Sequence, residues 1–351
     1  MTTLRDIDGL NLSPSTLNNK ITCPFLYVWS KVFKIPEEVP QRKFKMHFGT
    51  ENHAVDENFG KLLKAKGTRL FDLQFLKTAS KPEIAKTITG IKMNFVPMFK
   101  RPMMLESTHN LSLIDAGVFI DLRKHFDGDM VQVFDYWTPL ELEYDVTDED
   151  ARIHMIVDNL SKIPAKFKRY RNEIDSLIIK DLKPGKFMDG MVKPLSKNSD
   201  YEYGNGFGRQ LTFYSYYIKY KDMPCDFVAG KYYNTGQYVV DKITGAQITP
   251  FEKHIENFWN TDSFQRRKMG FHIIDGRNVD RCAWCSYRIT CRDTEGLMEG
   301  WDNGGILLLD DCVKDVKCKE CSENFIVFKR IDKDTCHRCE LKKEEKENDG
   351  Q

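Results

Sequence analysis

The chain has 351 residues, of which 41% are hydrophobic, so it can bury a sizeable core as one large domain or as one domain and a small module. Its 53 basic and 52 acidic residues give a net charge of +1, which excludes a global positive field as the basis for binding nucleic acid. No stretch is long and apolar enough to span a bilayer, and the N-terminus lacks the apolar core of a signal peptide. We therefore expect a soluble intracellular protein, cytoplasmic or, for a viral chain, in the host cytoplasm or nucleus.

The first part of the chain has the apolar spacing of helices. Residues 13–33, "SPSTLNNKITCPFLYVWSKVF", open with serine helix caps, and residues 48–67, "FGTENHAVDENFGKLLKAKG", form a second predicted helix with His53 near its start. Residues 111–139 are predicted to form a β-hairpin, because two apolar runs flank the turn "FDGD". We therefore expect helices first and then a β-rich segment.

The later part of the chain changes element type several times. Residues 147–183 are strongly charged and are predicted to be a helical insertion. Residues 203–221, "YGNGFGRQLTFYSYYIKYK", are predicted to form a helix with one apolar face, and residues 226–243 a hairpin around an Asn-Thr-Gly turn. The tail at residues 343–351 is so rich in charge that we expect it to be disordered.

A small cysteine-rich module is predicted near the C-terminus, over residues 312–342. The sequence "CKECSENFIVFKRIDKDTCHRC" has two C-x-x-C pairs with a strand-like segment between them. Four thiolates in two such pairs suit tetrahedral zinc, and a closed four-sulfur shell leaves no open position for chemistry. We predict a structural zinc ribbon, which could also bind a protein partner. Its predicted ligands are Cys318, Cys321, Cys336 and Cys339.

A second set of cysteines lies before this module. "CAWCSYRITC" supplies Cys282, Cys285 and Cys291, one ligand short of a four-cysteine site. Cys23, in "CPFLYVW", lies far upstream and could complete the set. Thiolates bind both iron–sulfur clusters and zinc, so the ligand type alone leaves both metals open.

These two cysteine segments together resemble the iron–sulfur branch of the RecB/Cas4-like PD-(D/E)XK nuclease family, to which Cas4, AddB and exonuclease V belong. The resemblance covers residues 11–295 and implies an α/β fold, in which a mixed sheet is flanked by helices. It also implies that one 4Fe–4S cluster closes the ends of this domain, with a second zinc site as the alternative. The ligands of this cluster would be Cys23, Cys282, Cys285 and Cys291.

The resemblance implies active-site residues in a fixed order along the chain. The family has a histidine in a G-x-x-x-H setting, which His53 in "GTENH" matches. An aspartate and then a D-x-K strand follow in the family. Asp121 and Asp135, in "GVFIDLRKHFDGDMVQVFDYWT", take the places of these two acids, and Asp115 is an alternative to the first.

After these acids the family has a helix with a Q-x-x-x-Y sequence, which Gln210 and Tyr214 match. On this placement His53, Asp121 and Asp135 would hold Mg2+ or Mn2+. Carboxylate oxygens and an imidazole are suitable ligands for such an ion, which phosphodiester hydrolysis requires.

Trp137 stands where the family carries the lysine of its D-x-K strand. An indole can neither act as a base nor carry charge, so this departure predicts impaired catalysis. Three interpretations are open: Trp137 fills the space of the lysine as a core residue, Lys193 in "KFMDGMVKPLSK" reaches the site from a neighbouring strand, or Trp137 stacks on a nucleobase. The first of these is favoured.

A local concentration of basic residues could form a surface for phosphates. The sequence "SKIPAKFKRYRNE" contains Lys166, Lys168, Arg169 and Arg171, which could contact a nucleic-acid backbone. The alternative is a solvated helix face without a ligand.

The sequence therefore predicts a DNA-binding protein with a nuclease fold that is catalytically impaired or silent, and that favours single strands or ends. It would act as a binding or scaffolding component in replication, repair, recombination or transcription. The alternative is an active DNA exonuclease that depends on Mg2+ or Mn2+ and uses His53, Asp121, Asp135 and a migrated Lys193.

Overall fold

A computed structural model of the chain describes residues 11–17, 27, 30–31, 43–149, 152–168, 170–184, 206–220, 223–245, 248–249, 252, 255, 313–322, 324–328, 334–335 and 339. The chain divides into two compact units. The first unit is the continuous segment Lys43–Phe251, and the second combines Met1–Arg42 with Glu252–Gln351.

Helices make up the N-terminal part of the first unit. Local capping explains where two of them begin: the Asp72 carboxylate accepts hydrogen bonds from the backbone amides of Gln74 and Phe75, and Ser80 forms a capping box with Glu83. Within the parts of the chain that are described, no helix is long and apolar enough to cross a membrane. The helices are α1 Lys43–Lys66, α2 Leu73–Thr78, α3 Lys81–Met93, α4 Arg101–His125, α5 Met130–Trp137 and α6 Gly206–Tyr220, with 3-10 turns at Gly67–Leu70 and Met98–Lys100.

Five strands form one mixed sheet: β1 Glu141–Asp148, β2 Ile153–Ile163, β3 Ser176–Lys183, β4 Cys225–Tyr232 and β5 Gln237–Lys242. They lie in chain order across the sheet. The pairs β1–β2, β2–β3 and β4–β5 are antiparallel, whereas β3 and β4 are parallel. The connection between β3 and β4 contains α6, as expected because a parallel pair needs a crossover.

The main hydrophobic core lies between the helices and one face of this sheet. Ile84 of α3 and Phe119 of α4 are fully buried in it, together with Ile178 of β3 and Phe227 of β4. Side chains alternate along a strand, so the opposite face of β3 carries Asp181. Asp181 therefore lies outside the main core.

The second unit contains an antiparallel pair of strands, β6 Val313–Lys317 and β7 Asn324–Phe328. The strand β7 overlaps the strand-like segment that the sequence has between the two C-x-x-C pairs. That local prediction is confirmed.

Three elements of the first unit are confirmed as predicted. The helix expected around His53 lies within α1, and the helix expected around Gln210 is α6. The strands β4 and β5 form the expected hairpin, where Gly236 has a φ of +65°, a conformation that glycine adopts without strain. Most of the helix predicted over residues 13–33 lies outside the described residues.

The β-hairpin predicted over residues 111–139 is wrong, because its two halves lie in the helices α4 and α5. The buried residues of α4 recur at helical spacing, as Leu111, Ile114, Val118 and Leu122 show. The residues that pack into the core therefore follow the helical period. The short-range alternation in "LSLIDAGVFID", which is typical of a strand, is therefore incidental.

The turn between these two segments is present, but it joins two helices. Gly128 has a φ of +84°, and its amide donates to the carbonyl oxygen of Arg123 at 2.9 Å, which ends α4. The Asp129 carboxylate accepts from the amides of Val131 and Gln132 at 3.0 and 3.3 Å, which starts α5. A turn signal thus does not reveal which type of element flanks it.

The helical insertion predicted over residues 147–183 is also wrong. Its described residues form the end of β1 and the strands β2 and β3, which belong to the central sheet. Ile153, Met155 and Val157 of β2 are buried at alternate positions, which is the period of a strand. Many of the charged residues lie in the loop at 164–175, so the average charge of the segment conceals two buried strands.

Trp137 lies in the hydrophobic core at the end of α5, with 4% of its surface exposed. Its ring packs edge-on against Phe119 with a centroid separation of 4.9 Å, and lies 5.4 Å from the ring of Phe134. The indole Nε1 donates to the backbone carbonyl oxygen of Asp115 at 3.2 Å, which satisfies its polar atom. The interpretation of Trp137 as a core residue is confirmed, but on a helix, so it does not replace a lysine on a strand.

We expect Trp137→Lys to destabilise the protein strongly. Loss of a buried aromatic side chain costs roughly 3–5 kcal/mol, and the new ammonium group would lie in an apolar core. Val131→Lys is the matched control, because Val131 is on the same helix and is 76% exposed. In urea unfolding followed by circular dichroism, the control should change the free energy of unfolding by no more than about 0.5 kcal/mol. Equal losses in the two variants would contradict this placement of Trp137.

Candidate active site

The structure does not bring together the three residues that the sequence analysis assigns to a cation. His53 is half-buried on α1, whereas Asp121 is on α4 and Asp135 is exposed on α5, where it pairs with Lys162 at 2.9 Å. Asp115, the alternative to Asp121, pairs with two buried lysines. These aspartates lie on helices because the predicted hairpin is helical, and none of them belongs to the group of acids around His53.

His53 lies instead beside two aspartates of the sheet, Asp158 of β2 and Asp181 of β3. One ligand atom from each of these three residues lies within 4.8 Å of the others. The His53 Nδ1 is 3.0 Å from Asp158 Oδ2, and its Nε2 donates to the carbonyl oxygen of Leu182 at 3.1 Å. His53 therefore connects a helix to two neighbouring strands.

The pairing of β2 with β3 places the two aspartates side by side. The antiparallel register pairs Asn159 with Lys180, so Asp158 and Asp181 are the next pair along the ladder. The side chain of Asp181 is 2% exposed and that of Asp158 is 28% exposed. Two carboxyl groups held this close repel each other unless a proton or a cation lies between them.

Lys183 follows Asp181 on the same face of β3, because side chains two residues apart in a strand point the same way. Its Nζ lies 3.2 Å from both carboxylate oxygens of Asp181. The segment Asp181-Leu182-Lys183 is thus a D-x-K sequence on an interior strand of the sheet, with its acid beside His53.

Helix α6 brings Gln210 and Tyr214 towards the same acids. The Gln210 side-chain amide donates to the Tyr214 hydroxyl at 2.9 Å, one turn apart on the helix. Burial, together with the charges of Asp181 and Asp158, raises the pKa of Tyr214. The tyrosine therefore keeps a neutral hydroxyl near the acids at physiological pH.

Two glutamates, Glu57 of α1 and Glu143 of β1, line the same pocket as the aspartates. Glu143 has a φ of +48°, which is rare for a residue other than glycine. Burial and the nearby charges of Asp158 and Glu57 raise its pKa. Acids therefore outnumber the lysines, Lys180 and Lys231, in the lining of this pocket, which favours a cation.

Burial and neighbouring charges set the protonation of this group. Burial alone would lower the pKa of His53, but the hydrogen bond and charge of Asp158 raise it overall. Burial would raise the pKa of Asp158, yet His53 lowers it. For Asp181, burial and the charge of Asp158 outweigh Lys183 and raise the pKa to about 7. His53 and Asp158 thus form an ion pair when His53 is protonated, and Asp181 retains a proton up to near-neutral pH.

The donor set suits a hard divalent cation. Two carboxylates, an imidazole and the Leu182 carbonyl oxygen are ligands that Mg2+ and Mn2+ accept. A Mg2+ ion at ~2.1 Å from each ligand draws those atoms within ~4.2 Å of one another, so small movements would close a group that lies within 4.8 Å. A cation would also replace the proton on Asp181 and offset the repulsion between the carboxylates. His53, Asp158 and Asp181 therefore fit such an ion.

Sequence reasoning misses Asp158, Asp181 and Lys183 because it assigns their segment to a helix. The sequence nevertheless has a signal for them. "MIVD" and "LIIKD" each put an acid at the end of an apolar, β-branched run, and "DLK" completes a D-x-K sequence. A strand assignment for both runs would have predicted this pair of acids.

The basic residues that the sequence suggests for phosphate contacts lie on the loop between β2 and β3. Lys166, Lys168 and Arg171 are all exposed there, so they are not on a helix face. Other predicted site residues lie outside the described residues, namely Arg169, Lys193, Cys23, Cys282, Cys285, Cys291 and Cys336.

In the second unit, three of the four predicted zinc ligands lie close together. The sulfur atoms of Cys318, Cys321 and Cys339 are within 4.8 Å of one another. Cys318 follows β6 directly, and its carbonyl oxygen accepts from the Ser322 amide at 2.9 Å in the turn that holds the first pair. Thiols in this arrangement suit a tetrahedral zinc ion.

We expect the stability of the protein without added divalent cations to fall between about pH 5 and about pH 8. Folding raises the pKa of Asp181 from the ordinary aspartate value of 3.8 to about 7. Between these values the folded chain binds more protons, so rising pH destabilises it. His53, with its raised pKa, acts in the same direction, whereas the lowered pKa of Asp158 has its effect at more acidic pH.

Thermal unfolding of the wild type and of Asp181→Asn, treated identically, checks this expectation. Between about pH 5 and about pH 8, the Tm of the wild type should fall further than the Tm of Asp181→Asn. Added Mn2+ should raise the Tm of the wild type again at the higher pH. The same pH dependence in both proteins would contradict the buried, proton-retaining Asp181.

Sequence comparison relates this chain to a known superfamily. The chain matches the sequence model of the PD-(D/E)XK nuclease superfamily over residues 11–292, most of its length. No curated protein matches it. The mixed sheet with flanking helices is consistent with the core of that superfamily. The chain therefore belongs to the PD-(D/E)XK nuclease superfamily.

Proposed function

We propose that this protein is an active, metal-dependent nuclease that hydrolyses phosphodiester bonds in DNA. One observation carries the proposal: β3 has an intact D-x-K sequence, Asp181 to Lys183, whose acid lies beside Asp158 and His53. Membership of a nuclease superfamily is consistent with this chemistry.

A catalytically silent protein was expected from the sequence because Trp137 was placed where the family carries the lysine of its D-x-K strand. Trp137 is a core residue on α5, and Lys183 supplies the lysine of a D-x-K sequence on β3. Trp137 therefore gives no reason to expect a protein that binds DNA without cleaving it. Migration of Lys193 into the site is no longer needed to provide an ammonium group.

A divalent cation, when bound, polarises the scissile phosphate and activates a water molecule. His53, Asp158 and Asp181 would hold it, and the Leu182 carbonyl oxygen would be a further donor. Lys183, at 3.2 Å from Asp181, would orient the attacking water and offset the negative charge that develops on the phosphate. Each protein group thus has a distinct role.

Substrate binding would use groups outside the metal ligands. Gln210 and Tyr214 offer uncharged hydrogen-bond donors near the acids. Lys166, Lys168 and Arg171 are exposed on the loop between β2 and β3 and would contact phosphates. Phosphate contacts carry no sequence information, so we propose non-specific DNA as the substrate. The resemblance to the RecB/Cas4 group supports single strands or ends.

We also propose two thiolate-bound centres. The grouping of Cys318, Cys321 and Cys339 supports a structural zinc site, with Cys336 as its fourth ligand. The resemblance to the iron–sulfur branch supports a 4Fe–4S cluster on the other set of cysteines. That set consists of Cys23, Cys282, Cys285 and Cys291.

Substitution of the proposed site residues should abolish or greatly slow cleavage. Asp158→Asn and Asp181→Asn remove metal ligands, and Lys183→Ala should lose on the order of a hundredfold in rate with DNA binding intact. Asp121→Asn and Asp135→Asn are matched controls, because they remove the same functional group from helices outside the His53 group. Both controls should retain full activity.

Degradation of labelled single- and double-stranded DNA in Mg2+ or Mn2+ measures these rates, and fluorescence anisotropy measures binding. Full activity in Asp181→Asn, or loss of activity in Asp135→Asn, would refute this site. A loss in Lys193→Ala without a loss in Lys183→Ala would instead assign the catalytic lysine to Lys193.

Metal analysis tests the two thiolate centres separately. Protein purified without oxygen should be brown and contain about four irons and about one zinc per chain. Cys23→Ala should lose the iron and retain the zinc, and Cys318→Ala should lose only the zinc. Colourless protein with two zinc ions would identify the first cysteine set as a second zinc site.

A further inference from the structure

Two buried lysines and two partly buried aspartates form a closed ring of charges on the core side of the sheet. The two carboxylate oxygens of Asp56 on α1 lie 2.6 Å from Lys92 of α3 and 2.6 Å from Lys231 of β4. Asp115 of α4 pairs with the same two lysines at 2.6 and 2.9 Å. Lys92 is fully buried and the side chain of Lys231 is 6% exposed. Each ammonium therefore lies between two carboxylates, and the ring has no net charge.

Attraction between opposite charges stabilises the charged forms of Asp56 and Lys231 despite their burial. Burial opposes ionisation of Asp56, but Lys231 and Lys92 hold its pKa below the usual range. Burial would lower the pKa of Lys231, yet Asp115 and Asp56 raise it. Asp56 and Lys231 therefore stay charged at neutral pH.

The ring reaches the proposed active site through Asp56 and Lys231. Asp56 lies three residues after His53 on α1, which is about one helical turn. Lys231 is the register partner of Leu182, whose carbonyl oxygen accepts from His53 at 3.1 Å. Both residues line the pocket that contains His53 and Asp181. Their ion pair thus joins α1, which carries His53, to β4, which lies beside the strand β3 that carries Asp181.

A buried ion pair constrains geometry more than it adds stability. The desolvation of two charges largely offsets their attraction, so the net gain is small. Displacement of either partner, however, leaves a buried charge without compensation, which is costly. The pair of Asp56 and Lys231 at 2.6 Å therefore resists movement of α1 relative to β4.

We propose that Asp56 and Lys231 are positioning residues of the metal site. They hold α1 at the distance from the sheet at which His53 meets Asp158 and Asp181. This inference rests on the proposed function, since it concerns the same cation. The pair of Lys92 with Asp115 balances the charges of the ring but includes no residue of α1.

Two double variants separate this role from general stabilisation of the core. Asp56→Leu/Lys231→Met removes the ion pair between α1 and β4, and Lys92→Met/Asp115→Leu removes the other pair. Each variant loses one acid and one base, keeps the net charge, and retains one ion pair of 2.6 Å. Mn2+ binding to the full chain is measured from the electron paramagnetic resonance signal of free Mn2+, with the Tm recorded beside it.

The affinity for Mn2+ should fall about 10–100-fold in Asp56→Leu/Lys231→Met, as for other groups that orient metal ligands, and stay within about twofold of the wild type in Lys92→Met/Asp115→Leu. Equal weakening in both variants, or no weakening in the first, would overturn the inference. If the first variant does not fold, Asp56→Glu keeps the charge and lengthens the link by one methylene. Wild-type affinity in Asp56→Glu would then overturn the inference.

Asp158→Asn tests the proposed function independently of the ring. Mn2+ binding that is present in the wild type and lost in this variant establishes the metal site, so that the ring variants alone decide the positioning role. A wild type that binds no Mn2+, or equal binding in Asp158→Asn, would refute the metal site, and the positioning role with it.

Discussion

The pairing of β2 with β3 is the constraint on which the candidate site depends. Its register makes Asp158 and Asp181 neighbours, and Lys183 follows on the same face of β3 at 3.2 Å from Asp181. A slip of one residue would turn the side chains of one strand to the opposite face and separate the two acids. The site is therefore a property of strand register, and loop conformation has little part in it.

Helix α1 completes this site with His53, because the histidine of β2, His154, pairs instead with Asp145 of β1. One turn of α1 carries both His53 and Asp56, and the two side chains meet very different electrostatic surroundings. His53 faces two neighbouring acids, and burial together with the charge of Asp158 raises the pKa of Asp181 to about 7. Asp56 faces two lysines in a balanced ring. A neutral, tightly paired ring thus adjoins a site whose excess of carboxyl groups suits a cation.

The order of the elements that carry the candidate site could be predicted from the sequence, but the position of the acids could not. The helices that carry His53 and Gln210 have clear apolar periods, and both were predicted correctly. Residues 111–139 show a local alternation like that of a strand, although they are helical. Short apolar runs occur in buried helices and in buried strands alike, so periodicity does not distinguish them. Because of this ambiguity, the metal-binding acids were predicted within residues 111–139, and Asp158 and Asp181 were overlooked.

By itself, the sequence determined the features that depend on neighbouring residues: the helix of His53, the Gln210–Tyr214 turn of α6, the hairpin of β4 and β5, and the strand between the two C-x-x-C pairs. Capping, turn chemistry and helical period act over a few residues, so they are visible without a fold. Only the tertiary structure decided which aspartates meet His53 and that Trp137 is a core residue of a helix. The reason is physical: strand pairing and buried charge pairs join segments far apart in the chain, and such contacts leave no mark on local periodicity.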